Sequence, residues 1–159
     1  MNIVFQKCWP SVAPGFALFL LVTAGCASMG EDKPMAAEKN PGITVKLTGD
    51  QEVPPVKTTA SGSGTFIIAA DMSVSGSVKT TGVEGTVAHI HDSAPGQMCG
   101  AKNGPVIVPL TKGPDNTWSA PAGAKLTDAQ YASFKAGNLY VNVHSAENKA
   151  GEICARLKP

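Results

Sequence analysis

From Ile43 onward, short β-prone runs are interrupted again and again by Gly, Pro, Asn and Asp, and this punctuation limits the chain to brief extended segments joined by turns. The runs are Ile43–Leu47, Gly64–Ala70, Ser73–Thr80, Thr86–His91, Val106–Leu110, Thr117–Ala120, Leu139–His144 and Glu152–Leu157. About eight such strands predict a sandwich or a barrel. Thr127-Asp128-Ala129-Gln130 has the spacing of a capping box, and the short helix it opens is expected to stop at Gly137. With 17 Gly and 12 Pro but a mean hydropathy of +0.02, the chain has many turns and still enough apolar residues for a core, which excludes disorder, collagen and coiled coil. The 159 residues allow one domain and a targeting segment. A formal net charge of +1 without a basic cluster offers nothing to nucleic acid. No phosphate-binding loop, dinucleotide fingerprint, serine elbow or HExxH occurs.

All three histidines fall in strand-like runs, Val87-Ala88-His89-Ile90-His91 and Tyr140-Val141-Asn142-Val143-His144. Side chains alternate between faces of a strand, so His89 and His91 share one face while Ala88 and Ile90 point to the core. Leu139, Val141 and Val143 form one side of the second run, leaving Tyr140, Asn142 and His144 on the other. If the two strands are neighbours, His144 completes a set of three imidazoles, a donor set suited to copper or zinc. The competing expectation is three hydrogen-bonded histidines without an ion. Asp92, Glu147 and Glu152 are candidates for orienting a ligand imidazole through its other nitrogen, and Met98 for a soft axial ligand.

Near the N-terminus, Lys7 and the apolar Phe16–Val22 stretch form a segment too short to span a bilayer, and so read as a signal peptide. Val22-Thr23-Ala24-Gly25-Cys26 resembles a bacterial lipobox, apart from Thr23 where Leu is usual. The resemblance implies cleavage after residue 25, lipidation of Cys26, and a flexible tether over 26–41 leading to a domain at 42–159. An ordinary signal peptide is the alternative. The implied address is the bacterial cell envelope, on the periplasmic face of the outer membrane, with the membrane as partner through the lipid. Cys8 departs with the leader, and Cys99 and Cys154 remain as an even pair in an oxidising compartment. They are expected to form a disulfide, worth about 4 kcal/mol for a loop of this length, or else to be two buried thiols.

Several motifs in order resemble the CHRD (chordin) domain family: Leu47-Thr48-Gly49-Asp50-Gln51-Glu52-Val53-Pro54-Pro55-Val56, Ala60-Ser61-Gly62-Ser63-Gly64, Ala88-His89-Ile90-His91, Asn103-Gly104-Pro105-Val106-Ile107-Val108, Gly137-Asn138-Leu139-Tyr140-Val141-Asn142-Val143-His144 and Gly151-Glu152-Ile153. The resemblance runs over 43–158. Two departures come together, the Met98–Lys102 insertion that brings Cys99, and Cys154 where the family commonly has Arg. The resemblance implies an extracytoplasmic module.

A looser resemblance is to the copper/zinc superoxide dismutases, in the order of a His-x-His strand, a Cys, a late His and a Cys near the C-terminus. It implies an all-β, antiparallel Greek-key β-sandwich, superoxide-dismutase-like or immunoglobulin-like, with copper on His89, His91 and His144 and a Cys99–Cys154 disulfide. The fourth histidine needed for a zinc subsite is lacking. Arg156 lies two residues after Cys154, whereas the dismutases carry an anion-guiding Arg just before their last Cys. The expectation is therefore a one-copper envelope lipoprotein, with zinc as a possible substitute ion and superoxide as its most concrete substrate. The alternatives are a metal-free module for an unknown protein partner, and a copper storage or delivery protein without turnover.

Overall fold

Alternating residues between glycine-rich turns become nine strands in the computed structural model, which describes residues 41–95, 97, 99 and 102–159. The strands are β1 (Ile43–Thr48), β2 (Ser61–Ile68), β3 (Val74–Thr81), β4 (Gly85–Asp92), β5 (Val106–Pro109), β6 (Thr111–Lys112), β7 (Thr117–Ser119), β8 (Leu139–Ser145) and β9 (Ile153–Arg156). Among the described residues a single α-helix, α1 (Asp128–Lys135), lies between β7 and β8, and a short 3-10 turn spans Gly49–Gln51 after β1. The expected leader, Cys26 as the expected lipidation site, the expected tether up to residue 40, and Met98 lie outside the described residues. No helix among the described residues is long and apolar enough to cross a membrane.

The strands pair antiparallel in the order β5-β4-β8-β9-β1-β2-β3-β7-β6. The two edge strands, β5 and β6, follow one another in the chain. Leu110, between them, donates its N–H to the Ala88 carbonyl of β4 at 2.9 Å, and Lys112 of β6 donates to the Gly85 carbonyl of the same strand at 2.8 Å. The sheet therefore curls until its edges almost meet, which protects both from pairing with another chain. The fold is all-β, as expected, with nine strands where about eight were expected. The extra one, β6, has two residues, too few for any period to show in the sequence.

The curled sheet encloses one apolar core. Leu47, Phe66, Ile90, Leu139, Val141, Val143, Ile153 and Leu157 are fully buried in it, and each contributes about 1.5–3 kcal/mol by leaving water. Ala88 and Ile90 belong to this core, so β4 turns His89 and His91 to the outer face, as the alternation requires. Strand β8 differs from the other long strands in being buried along its whole length. Leu139, Val141 and Val143 enter the main core, whereas Tyr140 packs in a second cluster with Cys99 and Cys154 on the opposite face. Loops that fold back over the sheet cover that face.

Helix α1 starts where the capping box predicts. The Gln130 N–H donates to Thr127 Oγ1 at 3.3 Å and the Thr127 N–H donates to Gln130 Oε1 at 2.9 Å. The helix seals one end of the core with Phe134 and is followed by Gly137 at φ 75°, a left-handed conformation that favours glycine. Thr127→Ala removes the cap and is expected to cost about 1 kcal/mol. A urea midpoint equal to that of the wild type would show that packing of Phe134 alone holds the helix.

Candidate metal centre

Register decides which histidines can meet. Strands β4 and β8 pair with His89 opposite Asn142, His91 opposite Tyr140 and Val87 opposite His144. His144 is therefore the diagonal neighbour of His89 on the outer face, within reach of a ring. A register irregularity between Gly85 and Val87 lies beside His144, and another between Ile90 and His91 adjoins β5, so both irregular points of β4 flank the histidines. The three rings gather with centroids 5.1 Å apart for His89 and His144, 5.3 Å for His89 and His91, and 5.7 Å for His91 and His144. One nitrogen from each lies within 4.8 Å of the other two. His91 and His144 are 3% and 5% exposed, and His89 is half-buried.

Hydrogen bonds to backbone carbonyls settle where the ring protons sit. His91 Nδ1 lies 2.8 Å from the Gly104 oxygen and His144 Nδ1 lies 3.0 Å from the Lys149 oxygen. A carbonyl only accepts, so both Nδ1 atoms carry hydrogen and both Nε2 atoms of the neutral rings present lone pairs. His89 Nδ1 is 3.3 Å from His144 Nε2 and is the donor to it. His91 Nε2 is buried without a partner among the described residues. Burial keeps all three rings neutral. It lowers the pKa of His89, and that of His91 against the opposing pull of the Gly104 carbonyl. It pushes His144 down to about 4, opposed by the Lys149 carbonyl and helped by the neighbouring His89 and His91. His91 Nε2 and His144 Nε2 thus present lone pairs to the space between the rings, and His89 Nδ1 would add a third once its proton moved to Nε2, the donor set a metal ion requires.

The two carbonyls come from different loops, and one side chain ties the loops together. Asn103, next to Gly104, donates from Nδ2 to the Ala150 oxygen at 2.6 Å, next to Lys149. Its Oδ1 accepts from the Tyr140 hydroxyl at 3.0 Å, and the same hydroxyl accepts the Gly104 N–H at 3.2 Å. The Tyr140 ring stacks on His91 with centroids 5.1 Å apart and planes 10° from parallel. Gly104 itself passes so close to β4 that a Cβ there would collide with the Asp92 carbonyl. The Gly104 and Lys149 carbonyls carry no residue signature in the sequence, and Asn103 and Tyr140 stand within family motifs without any mark of this bridging role. Orientation by acidic side chains is not what occurs. Asp92 accepts from Ser133 of α1 and Glu152 accepts from Thr58 at 2.8 Å, while Glu147 lies at the rim of a nearby cavity. The backbone of two tightly folded loops reaches the imidazoles first.

Cys99 and Cys154 are disulfide-bonded, across a sequence separation of 55. The bond fastens the loop that carries Asn103 and Gly104 to β9. Arg156 shares the outer face with Cys154 and stands opposite Tyr140, and its Nη1 donates to the Gly137 oxygen at 2.8 Å beyond the end of α1.

Glu52 is the other charged side chain drawn into this face. It is 2% exposed, neither carboxyl oxygen has a hydrogen-bond donor among the described residues, and burial pushes its pKa up to about 7. An acid whose pKa is higher in the folded chain than in the unfolded one binds its proton more tightly when folded. Its contribution to stability is complete below the unfolded value of 4.5 and is lost as the pH rises through about 7. Above that range the penalty is about 3 kcal/mol. Glu52→Gln is therefore expected to be more stable than the wild type by about that amount at pH 8 and little different at pH 4. An equal stability difference at both pH values, from urea unfolding, would show that Glu52 does not titrate in this range.

Compared with protein families, residues 43–157 match the model of the CHRD domain. No curated protein and no solved structure matches the chain. The chain belongs to the CHRD domain family.

Proposed function

We propose that this CHRD domain binds one copper ion through His89 Nδ1, His91 Nε2 and His144 Nε2, and works in the bacterial envelope on a lipid anchor at Cys26. The observation that carries the reading is the buried His91 Nε2, an acceptor without a donor, beside two other ring nitrogens. Three neutral nitrogens with no carboxylate or thiolate fit copper ahead of zinc in intrinsic affinity, and zinc is the natural substitute. Bound copper would supply a one-electron couple suited to dismutation of superoxide. The protein's part is to hold His91 and His144 in fixed tautomers through the Gly104 and Lys149 carbonyls, and to leave His89 accessible to a small molecule. Loading requires His89 to release its hydrogen bond to His144 and carry its proton on Nε2 instead.

Titration with Cu(II) is expected to give one saturating site whose EPR spectrum shows coupling to three nitrogens. Replacing any of the three histidines by Ala should abolish that spectrum, and unchanged affinity in all three variants would overturn the proposal. Turnover of superoxide by the loaded domain separates a dismutase from storage or delivery on the same ligands. Gly104→Ala leaves all three ligands in place but displaces the carbonyl that orients His91. It should weaken copper by about 10–100-fold, and wild-type affinity would show that the carbonyl is dispensable.

A further inference from the structure

We propose that Cys99, Cys154 and Glu52 form a second metal site, available when the disulfide is reduced and fitted to a thiophilic divalent ion such as Zn2+. Both sulfurs and a Glu52 carboxyl oxygen lie within 4.8 Å of one another, and all three residues are at most 2% exposed. The independent sign is Glu52 itself, an acid turned toward the sulfurs whose two oxygens have no partner among the described residues. Buried acids without a donor are rare and call for a proton, a water or an ion. A second such oxygen is close by. Asn142 pairs with Cys154 across β8 and β9, and its Oδ1 is also buried without a donor. Gly151 lets these groups approach, because a Cβ at that position would strike both the Asn142 amide and Glu52 Oε1. A cavity of about 350 Å³ lined by Glu52, Val53, Glu147, Lys149 and Gly151 gives a way in from solvent.

The chemistry balances with a dithiol as reductant. The dithiol gives two electrons and two protons to the Cys99–Cys154 bond and is itself closed to a disulfide, leaving two thiols here. The ion then replaces both thiol protons, and the Glu52 proton where one is present, to give two thiolate ligands and one carboxylate. Asn142 Oδ1 or a water completes four-coordination. None of the three histidines takes part, so this site stands or falls separately from the copper centre.

The test uses the full chain without oxygen, reduced with a phosphine, with Co2+ as the spectroscopic probe. Reduction should create one further Co2+ site with thiolate-to-metal charge-transfer absorption, which Zn2+ displaces and reoxidation removes. Glu52→Gln should weaken that site by about 10-fold or more, since loss of a ligand costs at least what loss of a ligand's support does. His144→Ala, which dismantles the copper centre, should leave the absorption in place. Folded reduced protein without the absorption would overturn the proposal, as would wild-type affinity in Glu52→Gln. Unfolding on reduction that Zn2+ does not reverse would also overturn it, because the ligands meet only in the folded chain.

Discussion

Strand β8 is buried on both faces, and the rest of the outer surface is organised around that fact. A strand in the middle of a curled sheet buries one face in the core as a matter of course. Its other face carries Tyr140, Asn142 and His144, all polar, and polar groups withdrawn from water need partners. The loops supply them. The segment between β4 and β5 brings Asn103 and the Gly104 carbonyl, and the turn between β8 and β9 brings the carbonyls of Lys149 and Ala150. The disulfide keeps the first of these loops against β9. The imidazoles are thus oriented by the groups that make burial of β8 tolerable.

The satisfaction is incomplete in two places, and both lie on this face. His91 Nε2, Asn142 Oδ1 and the two oxygens of Glu52 are buried side-chain atoms without partners among the described residues. One lies among three imidazoles and the others lie beside two sulfurs. The apolar core on the inner side needs no such exception. Apolar packing and buried polar groups are therefore divided between the two faces of one sheet, with β8 contributing to both.

Much of this was legible in the sequence, and the reason is periodicity. Alternation places Ala88 and Ile90 inside and His89 and His91 outside whatever the neighbouring strands are, and it splits Leu139–His144 in the same way. The capping box at Thr127 depends on local spacing alone, so it too could be read directly. That β4 and β8 are neighbours stands in the sequence only as a condition, because pairing between strands so far apart leaves no local mark. What could not be read was the set of partners. Backbone carbonyls support His91 and His144, and any residue has one. Glu52 stood inside a family motif, yet nothing in Asp50-Gln51-Glu52-Val53 distinguishes a buried acid from a solvated one. The acids that did seem placed to help, Asp92 and Glu152, are taken by Ser133 and Thr58, which the chain brings to them from distant positions.

Asn103 joins the loop that supports His91 to the loop that supports His144 through a single amide. Loops are ordinarily where a domain accepts changes in length most freely. Here each of the two is measured against the other. A residue inserted between 93 and 102 displaces Asn103 from Ala150, and one inserted between 146 and 149 moves Ala150 from Asn103. The variation in length that loops normally absorb is thereby pushed away from this face.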